Sequence, residues 1–166
     1  MFSQVQVLIN INKGFTRFIT KLYPISLVLL STAFVLFNLI CQFMILYLLP
    51  TNIEHHAAKD PLWKQIAFVL IAGPIIETLI FQVLLIRWVR NQVSQLEVVA
   101  TLISAIFFGL WHSTNVTFMA AGFVFGITLA TFYFVLRLKS LSPFLYLTIM
   151  HSGFNLVALI INDFLP

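Results

Sequence analysis

The sequence predicts an all-α protein, a polytopic bundle of membrane-spanning helices. Of its 166 residues, 61% are hydrophobic and only 8% are charged, whereas a soluble globular domain carries about a quarter charged residues. So few polar side chains do not cover a water-facing surface of this size. Long apolar stretches also recur along the chain, and most of the Lys and Arg residues lie between them. Together these observations indicate that most of the surface faces lipid.

Five apolar stretches are candidates for membrane crossing. A helix needs about 20 mostly apolar residues to cross the hydrocarbon core, and the stretches that reach or approach this length are 24–49, 65–89, 98–112, 117–136 and 143–164. The preceding segment, 1–22, mixes apolar and basic side chains, which is typical of a helix that lies on the membrane surface. No repeat or linker divides the rest. We therefore expect a single transmembrane domain over 23–166, with its motif-bearing helices in 63–166.

The positions of Lys and Arg predict the orientation of the helices. Most cationic residues lie near one set of predicted helix ends: Lys13, Arg17, Lys21, Arg87, Arg90, Arg137 and Lys139. The opposite ends have only Lys59 and Lys64. The positive-inside rule then places the N-terminus in the cytoplasm and the C-terminus outside. A formal charge of +4 distributed in this way indicates topology and not a nucleic-acid-binding surface. The short chain, without eukaryotic extensions, favours a bacterial inner membrane.

Four polar residues lie inside the predicted spans and are candidates for a functional site. A charged side chain in the middle of a bilayer costs at least a few kcal/mol, so such a residue indicates function. Glu77 lies in the second span, His112 ends the third, and His151 and Asn155 lie in the fifth. Since residues four apart share a helix face, His151 and Asn155 point the same way. We expect the three helices to direct these groups towards one interior site.

These residue types suit hydrolysis by an activated water. A carboxylate beside a histidine can act as a general base or acid. A histidine and an asparagine held together can donate hydrogen bonds to a developing oxyanion. Gly73 and Pro74 directly precede Glu77, and a proline removes a backbone donor and kinks a helix. The kink could admit water, although glycine and proline are also frequent in membrane helices for other reasons.

Other protease mechanisms lack the residues that they need. An aspartyl mechanism requires two Asp within the helices, but Asp60 and Asp163 lie at predicted span ends. The zinc motif H-E-x-x-H is absent from the sequence. Ser113 and Ser152 each adjoin a histidine in the chain without sharing its helix face, and Cys41 has no histidine in its helix. A glutamate and a histidine acting on water remain.

Three short motifs resemble those of the CPBP family of intramembrane proteases, also called the CAAX protease and bacteriocin-processing family or Abi family. The family pattern is E-E-x-x-x-R, then F-x-x-x-H, then H-x-x-x-N, each on its own helix. This sequence has "ETLIFQ" at 77–82, "FGLWH" at 108–112 and "HSGFN" at 151–155. The order, the spacing and the helical placement match over the second to fifth spans.

The resemblance implies an intramembrane endopeptidase that acts on a peptide or a protein C-terminal tail. It implies that Glu77 and His112 activate the water, while His151 and Asn155 stabilise the oxyanion. No cofactor is expected on this view, although Glu77, His112 and His151 could together ligate a metal.

Two positions depart from the family pattern. Thr78 stands where the family has a second Glu, and Gln82 stands where it has Arg. Both changes remove charge, and losing both members of a buried ion pair leaves no unpaired charge. We therefore expect a competent enzyme. The alternative is a catalytically weak or inactive member that acts as a bacteriocin self-immunity or membrane binding protein. A small transporter is disfavoured because the spans do not form two repeated halves.

One expectation conflicts with a simple shared site. The predicted topology puts His112 near the outer end of its span and His151 nearer the cytoplasmic end of its own. Helix tilt, a kink at Pro74 or a re-entrant turn near 113–117 could bring the two histidines to one level.

Overall fold

The computed structural model describes residues 2–49 and 61–164, and these form six helices without a strand. In chain order they are α1 (Phe2–Leu22), α2 (Leu27–Leu48), α3 (Trp63–Gln92), α4 (Glu97–Trp111), α5 (Val116–Leu138) and α6 (Pro143–Phe164). The predicted all-α membrane bundle is confirmed. Within the described ranges, four helices are long and apolar enough to cross a bilayer: α2, α3, α5 and most of α6.

The remaining predicted span is a helix, but a short one. α4 has 15 residues, which at 1.5 Å per residue is a length of about 22 Å. The hydrocarbon core is about 30 Å thick. The 23-residue α5 packs antiparallel against it and is the most buried of the apolar helices. This difference in length determines where the end of α4, and with it His112, meets α5.

Two glycines allow α4 and α5 to approach closely. A Cβ atom added at Gly126 would lie 2.9 Å from the Cα of Ala105, and one added at Gly109 would lie 2.9 Å from the carbonyl oxygen of Met119. Small residues at such crossings are how membrane helices associate without a hydrophobic driving force. The α4–α5 pair is therefore a rigid centre on which the other helices pack.

The N-terminal segment is helical, and α1 packs on one end of this centre. The Asn12 side chain accepts a hydrogen bond from the Val98 amide at 3.1 Å, and the Thr16 hydroxyl donates to the Glu97 carboxylate at 2.9 Å. Leu96, the residue before α4, makes no side-chain cap, so α1 supplies the cap from outside the helix. The interfacial placement of 1–22, the domain limits and the orientation in the membrane stay predictions.

α2 is the least buried of the four crossing helices, and a buried asparagine joins its middle to the centre. Asn38 is 2% exposed; its amide donates to the Phe34 carbonyl at 2.7 Å and its oxygen accepts from the Thr128 hydroxyl at 3.3 Å. An interhelical hydrogen bond of this kind holds a helix that buries few side chains. α2 thereby forms one wall of the cavity described next.

Candidate active site

Glu77 lies in the middle of α3, where the helix is irregular. The short α-helical segment Gly73–Glu77 is flanked by two π-helical segments, Ile66–Ala72 and Thr78–Leu85. Pro74 has no N–H to donate, and the Gly73 amide bonds the Phe68 carbonyl five residues back. Such π-helical turns are frequent at functional sites because they change the direction of the side chains that follow. Pro74 is thus accommodated by π-helical turns within one continuous helix.

Asn155 occupies the gap that the proline leaves. In the π-helical register the Val69 carbonyl would accept from residue 74, which is Pro74 and has no N–H. The Asn155 side-chain amide of α6 donates to that carbonyl at 2.8 Å. One of its two N–H groups is therefore committed to the backbone of α3. The sequence signal for this contact is the proline itself, but it identifies an acceptor only once the π-helical register is known.

His112 directly follows α4, and its ring is oriented by the backbone. Its Nδ1 lies 2.8 Å from the Phe108 carbonyl; because a carbonyl only accepts, we assign the proton to Nδ1. Nε2 is then an acceptor, and it lies 3.9 Å from the Glu77 carboxylate oxygen. A Cβ at Gly122 of α5 would come within 3.2 Å of the imidazole, so this glycine makes room for the ring.

His151 approaches the same oxygen from α6. Its Nε2 lies 3.6 Å from the Glu77 Oε2 atom, and its side chain is 3% exposed against 31% for His112. The ring is held between Phe108 and Phe125, whose centroids lie 5.8 and 5.0 Å away. The aromatic contacts fix the position of the buried imidazole.

The two histidines therefore meet at one level, despite the expected difference in depth. His112 comes just after the 15-residue α4 and packs against Gly122, two turns inside the 23-residue α5. His151 lies about two turns from the start of α6. The shortness of α4 thus brings His112 into the bundle, and no re-entrant segment is needed.

A cavity of about 760 Å³ opens on these groups, within the range of about 300–1,000 Å³ that is usual for ligand pockets. All four predicted site residues line it, and the other walls come from α2, α5 and the first half of α3. Most of the lining is apolar and aromatic: Leu39, Phe43, Leu46, Phe68, Phe125 and Phe154. Besides the four predicted residues, the polar side chains of the lining are Gln42, Thr114, Asn115 and Thr117.

The two positions that depart from the family pattern lie outside this cavity. Thr78 and Gln82 are completely buried, and in the described part of the chain neither the hydroxyl nor the amide has a hydrogen-bond partner. Leaving a buried amide unpaired costs about 1–3 kcal/mol. The loss of charge at these two positions is therefore accompanied by buried hydrogen-bonding groups that have no partner among the described residues. The sequence did not predict this.

No metal-binding cluster of three or more His, Cys, Asp or Glu side chains is found among the residues that the structure describes. Glu77, His112 and His151 do converge, so the use of a metal stays a question for a chelator experiment.

Comparison with known proteins gives one finding. The model of the family described as "Type II CAAX prenyl endopeptidase Rce1-like" matches residues 59–157, more than half of the chain. The matched region contains the four residues around the cavity. No curated protein and no solved structure matched the chain.

Proposed function

Since the chain belongs to the Rce1-like family of type II CAAX prenyl endopeptidases, whose members are proteases, we propose that it hydrolyses a peptide bond inside the membrane with a water activated by Glu77. The observation that carries this proposal is the position of one Glu77 oxygen, 3.6 Å from His151 and 3.9 Å from His112, at the wall of a large cavity. The four apolar helices fit an integral membrane protein.

The spacing of the groups suits a bridging water. Separations of 3.6 and 3.9 Å are longer than a direct hydrogen bond, and we place a water between the groups that is shared by Glu77 and His112. Such a water donates one proton to Glu77 and the other to the unprotonated Nε2 of His112. Its lone pair is then directed away from both groups and towards the substrate carbonyl carbon.

The reaction follows from this arrangement. Glu77 takes a proton from the water as the water oxygen bonds to the carbonyl carbon, and the carbonyl oxygen becomes an oxyanion. His151, protonated on Nε2, donates to that oxyanion, together with the second amide proton of Asn155. When the C–N bond breaks, Glu77 returns its proton to the leaving amine, which yields a carboxylic acid and an amine.

The cavity indicates the substrate class. Its apolar and aromatic lining would bind an extended peptide segment with hydrophobic side chains or a lipid-modified tail. We therefore propose a peptide or a protein C-terminal tail as substrate. The alternative of an inactive immunity protein gains no support from the family match, which describes an endopeptidase.

The test is hydrolysis of quenched fluorescent CAAX-type peptides, with and without an isoprenoid, by the purified full chain in detergent. Glu77→Gln should reduce the rate by about 10²–10⁴-fold, because it removes a general base. The matched control is Glu97→Gln, at the start of α4, whose carboxylate binds Thr16 outside the cavity; it should retain the native rate. Full activity of Glu77→Gln would overturn the proposal. Activity that a chelator abolishes would replace the metal-free mechanism with a metal-dependent one.

A further inference from the structure

A second cavity lies at the opposite end of the bundle from the active-site cavity. It has a volume of about 270 Å³ and lies between the last turns of α3 and α5. Its lining is entirely polar or charged: Arg87, Arg90, Asn91, Gln95, Tyr133 and Arg137, called here the arginine pocket. It shares no lining residue with the active-site cavity, and Arg87 lies ten residues beyond Glu77 on α3, about 15 Å along the helix.

The three guanidinium groups of the arginine pocket face no acidic side chain in the part of the chain that the structure describes. No carboxylate lines the pocket, and among the described residues none of the three arginines forms an ion pair. The neighbouring cation at the end of α5 is different, because the Lys139 ammonium donates to the Tyr23 carbonyl and, at 2.9 Å, to the Ile25 carbonyl. The fold therefore brings three arginine cations to one cavity, and no acidic side chain of the described residues neutralises them there.

Arg90 is the best fixed of the three. Its guanidinium carbon lies 5.6 Å from the centre of the Phe134 ring, and its Nε is buried and has no hydrogen-bond partner among the described residues. Tyr133, also on the pocket wall, is only 2% exposed. Stacking on an aromatic ring restricts the guanidinium, so the pocket has one preorganised arginine and two exposed ones, Arg87 and Arg137.

The general preference for cations at these helix ends explains only part of this arrangement. Arginines on the cytoplasmic side follow the positive-inside rule, and cations complement the negative ends of helix dipoles. Neither effect requires three arginines from two helices to line one cavity, or adds three neutral polar side chains, Asn91, Gln95 and Tyr133. A planar guanidinium binds the oxygens of a phosphate in pairs, and the pocket is several times larger than the roughly 30 Å³ of one water.

We propose that the arginine pocket binds a phosphate group, such as the headgroup phosphate of an anionic lipid. The lipid source is favoured by position, since the pocket lies at the ends of two membrane-crossing helices. Trp88, one residue from Arg87, is 56% exposed, and tryptophan marks the headgroup level of membrane proteins. A soluble phosphate offers the same chemistry, so the experiment includes both.

The test measures lipid binding to the purified full chain by native mass spectrometry in detergent, with phosphatidylglycerol, zwitterionic phosphatidylcholine and inorganic phosphate as separate probes. The triple variant Arg87→Gln, Arg90→Gln, Arg137→Gln should bind phosphatidylglycerol at least tenfold more weakly than the native chain. The matched control replaces the exposed Lys13, Arg17 and Lys21 of α1 with Gln. It removes the same charge from the same predicted side and should stay within twofold.

The outcomes distinguish a pocket from a general charge effect. Equal losses in the two triple variants, or equal binding of both lipids, would overturn the proposal. Arginine-dependent binding of inorganic phosphate without binding of phosphatidylglycerol would confirm the phosphate pocket and reject the lipid source. If the arginine triple variant melts early, Tyr133→Phe keeps every charge and should weaken binding a few-fold. Unchanged binding in that variant and in Arg137→Gln alone would also overturn the proposal.

Discussion

Helices α3 and α5 are both apolar and long enough to cross a membrane, yet they differ in whether their buried polar side chains have hydrogen-bond partners. In α5 the Thr131 hydroxyl donates to the Ile127 carbonyl one turn back at 2.8 Å, and the Thr128 hydroxyl shares its proton between the Val124 carbonyl at 3.1 Å and the Asn38 oxygen at 3.3 Å. The helix is regular throughout. α3 contains two π-helical segments, and in the described part of the chain the buried side chains of Thr78 and Gln82 lack hydrogen-bond partners.

The difference indicates that interactions in α5 favour stability, whereas α3 departs from regular, fully hydrogen-bonded structure. The hydroxyls of Thr117, Thr128 and Thr131 in α5 all have hydrogen-bond acceptors, in the helix itself or in α2 and the residue after it. α5 also presents small residues to α4, so it can be packed on all sides. α3 carries the candidate general base beside a proline, and its unpaired donors and acceptors lie next to that base. Local rules of structure are expected to fail mainly at functional sites, and here the failures are confined to one helix of the pair.

The largest expected effect is on the hydrolysis that we assign to Glu77 of α3. His112→Ala should lower kcat by about 10²–10⁴-fold, because it removes the acceptor that orients the water against Glu77. The thermal midpoint should change little, since His112 is partly exposed. Thr131→Val in α5 is the control and should leave kcat unchanged. Steady-state hydrolysis of a quenched peptide makes the comparison, and a native kcat for His112→Ala would show that the histidine has no role in catalysis.

The next effect is on packing and belongs to the regular helix. Gly126→Val should destabilise the chain by about 1–3 kcal/mol or prevent folding, since even its Cβ would lie 2.9 Å from Ala105 and 3.1 Å from Phe108. Gly153→Val on α6 is the matched change, because a Cβ there meets nothing within 4 Å. Denaturant titration in detergent measures both variants. If they proved equally stable, the close approach of α4 and α5 would not be what holds the centre together.

A smaller effect tests the contact between α6 and α3. Asn155→Ala should cost about 1–3 kcal/mol, because it leaves the Val69 carbonyl without a donor. Pro74→Ala restores a backbone N–H to α3, so the double variant should recover part of that stability. Thermal denaturation of the four members of the cycle gives the coupling energy.

Peptidase activity in the same cycle separates two roles of Asn155. Recovery of stability without activity would indicate that Asn155 also stabilises the oxyanion, in addition to positioning α3. Recovery of both would assign it to positioning alone. Additive losses of stability, with no rescue by Pro74→Ala, would contradict the link between the proline and the asparagine.

The sequence was sufficient for the parts of the site that depend on helix periodicity. Glu77, His112, His151 and Asn155 were chosen because they are polar residues in apolar helices, and all four line one cavity. The helix limits were also predictable, because charge and turn residues interrupt the apolar runs. The length of 98–112 was predicted as well, since helix α4 also has 15 residues. What the sequence left open was how His112 reaches the level of His151, and this follows from the packing of His112 against Gly122 of α5.

The remaining features depend on register and on contacts between helices. A π-helical turn differs from an α-helical one by a single residue in hydrogen bonding, and Pro74 alone does not determine which of the two forms. The contact of Asn155 with Val69 exists only in the π-helical register, so it could not be read from spacing. The meeting of Arg87, Arg90 and Arg137 around one cavity likewise requires α3 and α5 to end side by side.

The smallest expected effect compares α3 and α5 with the same substitution. Thr78→Val replaces a buried hydroxyl for which the described structure has no partner, so it should be neutral or stabilising by about 1 kcal/mol. Thr131→Val removes a hydroxyl that donates to Ile127 at 2.8 Å. The Ile127 carbonyl keeps its backbone hydrogen bond within the helix, so Thr131→Val should be neutral or slightly destabilising. Denaturant midpoints of the two variants measure the difference directly. If Thr78→Val were clearly the more destabilising variant, the native Thr78 hydroxyl would have a hydrogen-bond partner in the membrane. The side chains of Thr78 and Gln82 would then not be unpaired in the native protein.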